Sequence, residues 1–239
     1  MDTENFTSTF GGSAAEALPA DRARFIRKTY MLLAAAILAF ILIESFLFVS
    51  GAAAVIATTI FSAGSIGWLV VLGLFMVVSW IANNWATSKT SVGTQFLGLG
   101  LAVVAEAVIF VPLLTIAAIR SDDPWLMLFK AGTVTIGLFL GITATVFLTR
   151  TDFSFLGPIL GIGGFAALGF IAASILFGFT LGNLFIFAMI AFAGTAIIYQ
   201  TSNVLHRYNT QQHVAASLAL FASIALLFWY IILLFSGRK

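Results

Sequence analysis

The chain has no cysteine and few charged residues. With none among its 239 residues, disulfide bonds and thiolate chemistry are excluded. Only 8% of the residues are charged, against about a quarter in soluble domains, whereas 61% are hydrophobic. These proportions predict an integral membrane protein. The net charge of +2 is too small to indicate a nucleic-acid partner.

The N-terminal twenty residues, MDTENFTSTFGGSAAEALPA, are mostly polar or small. They lack the basic segment and apolar core of a cleavable signal peptide. We predict a disordered cytoplasmic tail over residues 1–24 and a transmembrane domain over residues 25–237.

Apolar segments of about twenty residues predict seven transmembrane helices and an all-α fold. The connection at residues 51–67, GAAAVIATTIFSAGSIG, is apolar but rich in small residues. It has two interpretations, a loop at the membrane interface or an extension of the first span. The seven predicted spans cover residues 29–50, 66–86, 94–118, 127–148, 154–177, 183–203 and 213–235.

The distribution of lysine and arginine predicts a cytoplasmic N-terminus. This orientation puts seven basic residues inside and four outside. An odd number of spans then puts the C-terminus outside, unless the last span is re-entrant. The inside group is Arg22, Arg24, Arg27, Lys28, Lys89, Arg150 and Arg207, and the outside group is Arg120, Lys130, Arg238 and Lys239.

Glycine and proline predict where helices pack closely or bend. The segments GLFLG, at residues 137–141, and GPILGIGGFAALG, at residues 157–169, carry the small residues that let helices approach in lipid. Pro112 lies inside the third span and should kink that helix or leave a carbonyl without its N–H partner.

Charged residues within the spans are candidate functional residues because each is costly in hydrocarbon. Glu106 lies near the middle of the third span, where it either carries a proton or lines a wet cavity. Glu44 lies nearer the outer end of the first span, at a depth similar to that of Lys130. We predict that Glu44 and Lys130 form an ion pair or that both side chains reach toward the interface.

The sixth span ends in a polar stretch, AIIYQTSNVLHRYNTQQH, at residues 196–213. A helix would put Gln200, Asn203 and Arg207 on one face. His206 and His213 have no carboxylate or cysteine nearby in sequence, so they do not indicate a metal site. A capped, solvated helix end explains His206, Arg207 and His213 best.

Three blocks of the sequence resemble the Bax inhibitor family, also called the transmembrane Bax inhibitor motif family. They are FIRKTYMLLAAAILAF at the first span, TRTDFSFLGPIL at the fifth and YQTSNVLH at the end of the sixth. Within them, residues 27–30, 154–157 and 201–206 are similar to blocks of the bacterial YccA-like branch. The resemblance covers nearly the whole chain after the tail.

This resemblance implies a seven-helix fold with the last helix at the centre and six around it. It implies no hydrolytic or redox activity, hence no enzyme and no cofactor. Family members with the fuller motif act as pH-sensitive calcium leaks gated by two aspartates, which Gln200 and Ser223 replace here. An amide and a hydroxyl cannot supply the charge that a hard cation prefers. Glu106 matches an acidic position of the family, ahead of a proline matched by Pro112.

The YccA-like branch implies a bacterial inner-membrane protein that binds and modulates the membrane-anchored AAA protease FtsH. Two hypotheses follow, with the lipid bilayer as a partner in both. The first is a modulator of such a protease in membrane-protein quality control. The second is a leak for Ca²⁺ or H⁺ through the bundle. The polar residues expected to line the cavity are Glu106, Gln200, Asn203 and Ser223.

Overall fold

The computed structural model describes residues 13–88 and 91–237, and within them the chain is helical without strands. Seven of its helices are long and apolar enough to cross a membrane, which confirms the predicted fold class. The helices are α1 (Pro19–Val49), α2 (Ala52–Ser62), α3 (Gly64–Ala86), α4 (Val92–Arg120), α5 (Pro124–Thr149), α6 (Leu156–Phe177), α7 (Gly182–His206) and α8 (His213–Ser236).

The last helix, α8, lies at the centre of the bundle. It packs against α1, α3, α4, α5 and α7, whereas α6 lies outside against α3 and α7. More than half of the apolar window of α8 is buried, 56% against 6% in α6. Its 24 residues are unbroken and extend about 36 Å at 1.5 Å per residue, long enough to cross a hydrocarbon core. The alternative of a re-entrant last span therefore has no support in the structure.

Aromatic side chains fill the junction of α1, α4 and α8. Phe110 of α4 has its ring centroid 5.1 Å from that of Phe40 and 5.0 Å from that of Trp229, both in edge-on geometry. It also stacks on Phe228 at 5.8 Å. Such pairs add to the stabilisation from burial alone. They also fix the relative level of the three helices.

The segment after the first span forms neither an interfacial loop nor an extension of that span. It is a separate short helix, α2, which packs on α4 through a small cluster of Ala53, Ala57 and Val111. Glycines with positive φ separate it from its neighbours, at +81° for Gly51 and +58° for Gly64. This left-handed conformation is accessible to glycine and ends a right-handed helix.

Successive long helices alternate in direction, so the bundle has two ends. We call the end at which α1, α4, α6 and α8 begin the basal end, and we call the opposite end the apical end. α1 begins at Pro19, so residues 19–24 are helical where the sequence predicted a tail to residue 24. Proline at the first helical position explains this early start, since its missing N–H costs nothing there. Residues 1–12 lie outside the described part of the chain.

The predicted glycine contacts are formed in one segment and not in the other. In α6, a side-chain carbon at Gly157 would lie 3.0 Å from the Tyr199 hydroxyl, and one at Gly163 would lie 2.9 Å from a Phe192 ring carbon. In α5, Gly137 and Gly141 have nothing within 4 Å of that position. Close packing by glycine therefore joins α6 to α7, whereas the α5 glycines contact no other helix closely.

The closest helix approach that depends on glycine joins α3 and α4 at Gly98. A β-carbon there would lie 2.5 Å from both the Ala82 carbonyl oxygen and the Ala86 nitrogen. Both atoms belong to the α3 backbone, so relief requires the two helices to separate rather than a side chain to turn.

We therefore expect Gly98→Ala to destabilise the bundle by about 1–3 kcal/mol, the usual cost of overpacking. Gly100→Ala is the matched control, because it lies on the same helix and has nothing within 4 Å. Thermal unfolding in detergent measures both variants. Equal stability of the two would show that α3 and α4 are not held together at Gly98.

Candidate functional site

The three sequence blocks that resemble the Bax inhibitor family meet at the basal end. Tyr30 of α1 faces Thr201 of α7. The loop between α5 and α6 is bound to Ser202, the residue after Thr201, because the Phe153 N–H donates to Ser202 Oγ at 2.9 Å. Gly157, just after this loop, packs against Tyr199. Segments far apart in the sequence therefore form one site around the end of α7.

Ser202 is the centre of a polar network at this end. It is fully buried, and its carbonyl oxygen lies 3.0 Å from His206 Nδ1. In the adjoining loop, Asp152 Oδ1 accepts the Ser154 N–H at 2.9 Å. This N–H lowers the pKa of the Asp152 carboxyl below its usual range, and Arg207 and His206 act in the same direction. Asp152 is therefore an anion at neutral pH, beside the basic end of α7.

The segment before α1 closes part of the basal end. Ala14 is completely buried, and its N–H donates to the Tyr208 carbonyl at 2.8 Å. Tyr208 lies in the turn between α7 and α8, where burial raises the pKa of its hydroxyl to about 12. Ala14 therefore fixes the start of the described chain beside this turn.

Two of the predicted cavity residues contact each other on α7. Asn203 Nδ2 donates to Gln200 Oε1 at 3.4 Å, as expected for positions three apart on one helical face. Asn203 is only 7% exposed, and its Oδ1 has no hydrogen-bond partner among the described residues. Gln200 is half-buried. The structure thus brings these two together at the basal end.

Glu106 and Ser223 lie deeper in the bundle. Glu106 is one turn before Phe110 on α4, on the same face as Val103, and Phe110 contacts α8 beyond Ser223. The two residues are therefore at similar levels. Ser223 Oγ, however, donates to the Ala219 carbonyl of its own helix at 2.9 Å.

The half-buried Glu106 forms no hydrogen bond or ion pair with any residue that the structure describes. A bond to the carbonyl freed by Pro112 is therefore absent. That carbonyl belongs to Val108, which is two residues along α4 and so points away from the direction of the Glu106 side chain.

Glu44 and Lys130 do not form the predicted ion pair. Glu44 is 7% exposed, and neither of its carboxylate oxygens has a hydrogen-bond partner within residues 13–88 and 91–237. Lys130 is exposed and lines an apical cleft of about 360 Å³ with other charged residues. The ion pair does not form because the two side chains leave their helices in different directions. Similar depth alone does not make two side chains face each other. The cleft also contains Arg120, Asp122 and Asp123.

His206 and His213 do not lie in a group of metal ligands. Within the described ranges, no three or more His, Asp or Glu side chains are arranged to hold a metal ion. His213 begins α8, and its carbonyl accepts a hydrogen bond from Ser217 Oγ at 2.6 Å. Both histidines therefore have structural contacts at helix ends.

Sequence reasoning missed the buried hydroxyl groups at the basal end, which belong to Tyr30, Thr143, Thr201 and Ser202. Each lies in or beside a span whose overall apolar character hides it. The available signal was that Tyr30, Thr201 and Ser202 belong to the blocks that resemble the family. Thr143 carried no such signal.

Comparison with known proteins identifies the family of this chain. The family model described as "Inhibitor of apoptosis-promoting Bax1" matches residues 22–239, nearly the whole chain. The chain belongs to the Bax inhibitor family. No solved structure matches it.

Three relatives from different kingdoms are similar to this Bax inhibitor family protein. LIFEGUARD 4 of Arabidopsis thaliana is 30% identical over 224 residues, 90% of this chain and 85% of that protein. An uncharacterized protein of Pseudomonas aeruginosa is 28% identical over 158 residues, 65% of this chain and 66% of that protein. Bax inhibitor 1 of Schizosaccharomyces pombe is 31% identical over 108 residues, 43% and 39% of the two chains. The second and third matches thus span less than two thirds of those relatives.

We expect Glu106 to be an uncharged acid. Glu106→Gln should then change the stability by no more than about 0.5 kcal/mol, because the amide has the same shape and no charge. Glu106→Ala should cost about 1–2 kcal/mol, below the usual 2–5 for a fully buried side chain, because Glu106 is half-buried. Thermal unfolding measures both, and the infrared band of a protonated carboxyl at neutral pH should weaken in Glu106→Gln.

Glu44→Gln is the control that assigns the infrared band, since Glu44 is the other acid within the described spans that lacks a partner. If Glu106→Gln destabilised the protein as much as Glu106→Ala, the carboxylate would be charged and held by an ion or by water.

Proposed function

We propose that this Bax inhibitor family protein binds and modulates a membrane-anchored AAA protease of the FtsH type in membrane-protein quality control. The observation that carries the proposal is the hydrogen bond between the Ala14 N–H and the Tyr208 carbonyl, 2.8 Å long. It holds the base of the polar N-terminal segment against the turn between α7 and α8. A protease at the basal end could therefore contact the segment and the turn together.

The charges of the basal end support a cytoplasmic position for this surface. The described part of that end carries six arginines and lysines, and the apical end carries two. An excess of basic residues is typical of the cytoplasmic side. We propose that the basal end faces the cytoplasm of a bacterial cell, where the ATPase of such a protease works. The six are Arg22, Arg24, Arg27, Lys28, Arg150 and Arg207.

The chemistry of the bundle interior favours a partner-binding role over a gated calcium leak. The positions of the family's acidic pair hold Gln200 and Ser223, which are neutral. Ser223 Oγ is engaged by its own helix, and Gln200 by Asn203. Neutral groups that are already hydrogen-bonded are poor replacements for the water ligands that Ca²⁺ loses when it binds.

Deleting residues 2–12 tests the proposed role of the N-terminal segment. The deletion leaves Ala14 and its contact intact, so membrane insertion and folding should be unchanged. We expect a longer lifetime in cells, because the protease loses the segment that it engages. A pulse-chase in cells with and without the protease measures this.

Replacing residues 2–12 by a polar sequence of the same length is the control, and this variant should still be degraded. An unchanged lifetime of the deletion variant, where the protease is active, would argue against a role for the segment.

The absence of cysteine allows the contact itself to be mapped. A single cysteine at Arg207 should cross-link to the protease in native membranes, and one at Arg120, at the apical end, should not. Equal cross-linking at both positions, or none at Arg207, would contradict the proposed contact surface.

A second function, a leak for Ca²⁺ or H⁺, is favoured by one observation. Glu106 lies within the bundle near the level of Ser223 and forms no hydrogen bond or ion pair with the described residues. An acid without a partner at that depth is a candidate for ion or proton passage.

Ion flux in liposomes distinguishes the two functions. We expect little pH-dependent calcium flux from the unmodified protein, because Gln200 and Ser223 carry no charge. Introducing Gln200→Asp together with Ser223→Asp should increase it, with Gln200→Asn and Ser223→Asn as the uncharged control. A strong acid-sensitive calcium leak from the unmodified protein would favour the second function.

A further inference from the structure

Three hydroxyl groups from three helices face one another inside the basal half of the bundle. Tyr30 of α1 has its hydroxyl near those of Thr143 of α5 and Thr201 of α7. The Tyr30 ring lies between Phe139 and Phe147 of α5, at centroid distances of 6.4 and 5.9 Å. Thr143 is one turn from each of these phenylalanines, which explains why the tyrosine hydroxyl reaches it. We name Tyr30, Thr143 and Thr201 the hydroxyl cluster.

Both threonine hydroxyls lie within reach of the Tyr30 hydroxyl, but no two members of the cluster meet in hydrogen-bond geometry. All three oxygen atoms are buried and have no hydrogen-bond partner among the described residues. Thr201 as a whole is 0% exposed. Buried hydroxyls in proteins are almost always hydrogen-bonded, because leaving one unmet costs about 1–3 kcal/mol.

The two threonines also do not use the partner that other threonines of the bundle use. Thr115, Thr133 and Thr135 each donate to the carbonyl four residues earlier, at 2.8 Å. This bond is available to any helical threonine whose hydroxyl turns along the helix. In Thr143 and Thr201 the hydroxyls are directed toward that of Tyr30 instead, so the three oxygen atoms converge.

We propose that the hydroxyl cluster is a binding site for one water molecule that joins α1, α5 and α7. Buried polar groups that face one another without forming a hydrogen bond are commonly bridged in this way. A buried water typically makes about three hydrogen bonds, the number of hydroxyls present. The members are neutral and include no carboxylate, so they suit water better than a divalent cation, which takes six to eight oxygens with carboxylates among them.

The site lies just inside the basal end, roughly 8–9 Å along the helices from the ends of α5 and α7 at 1.5 Å per residue. It adjoins Gln200 and lies five residues before His206 along α7. The bound water would fix α7 at the point where α7 also holds the loop between α5 and α6 through Ser202. This inference is independent of the proposed protease partner.

A thermal-unfolding cycle in detergent tests the site with Tyr30→Phe, Thr143→Val and Thr201→Val, which remove the hydroxyls but keep the shapes. Each single variant should lower Tm by about 2–4 °C, the shift expected for about 1 kcal/mol in a chain of this size. Every pair should lower Tm by less than the sum of its singles, because all three share one water. Thr143→Ser keeps its hydroxyl and should retain the coupling.

Thr135→Val is the matched control, because Thr135 is buried on α5 but bonds its own helix. Its effect should add to that of Tyr30→Phe without coupling. Additive effects within the cluster, or no loss in the single variants, would overturn the proposal. Coupling confined to one pair would mean a direct hydrogen bond instead of a shared water.

Repeating the cycle in sodium chloride and in choline chloride tests for a cation. The coupling should be the same in both salts. A coupling that depends on sodium would identify the occupant as a metal ion and would also overturn the proposal.

Discussion

Hydrocarbon offers no hydrogen-bond partner, and this constraint governs every level of the structure. Backbone groups are satisfied within helices, so within residues 13–88 and 91–237 the spanning segments are all helical. Side-chain hydroxyls follow the same rule, since threonines such as Thr133 and Thr145 donate to a carbonyl of their own helix. The few buried polar atoms that have no hydrogen-bond partner among the described residues are therefore the informative ones. Among the described residues, most of them lie in the basal half, on α1, α5 and α7, and the exception is Glu44 near the apical end of α1.

The same constraint explains why so much of the fold was predictable from the sequence. Length and apolar character are sufficient to locate a spanning helix, and each predicted span has a matching helix within a few residues, except where α1 begins earlier at Pro19. The central position of α8 came from the family resemblance, since periodicity does not identify the innermost of several uniformly apolar helices. The short helix α2 was missed because its boundaries depend on two glycines in left-handed conformation, Gly51 and Gly64. Composition does not reveal which glycine adopts the left-handed conformation.

The candidate site was predictable in depth but not in direction. Glu106 and Ser223 are at similar levels, as counting residues along the spans suggested, yet no bond joins them in the described structure. Glu44 and Lys130 show the same difficulty, because one is buried in the bundle and the other lines the apical cleft. Rotation about a helix axis is set by packing against neighbours, which a single sequence does not contain. Contacts three residues apart on one helix, as between Gln200 and Asn203, were predictable because the helix itself fixes them.

Apart from Glu44, near the apical end of α1, the polar residues of the bundle interior occupy two separate levels, and this separation bears on function. The basal level contains the hydroxyl cluster, the Ser202 network and the Ala14 contact, and it opens onto a surface rich in arginine and lysine. The deeper level contains Glu106, with the aromatic residues around Phe110 on its apical side. An ion crossing the bundle would have to pass both levels, whereas a protein partner at the basal surface would contact the first alone. Glu106→Gln should therefore leave partner binding at the basal surface unchanged, and any ion flux through the bundle is the property that it should alter.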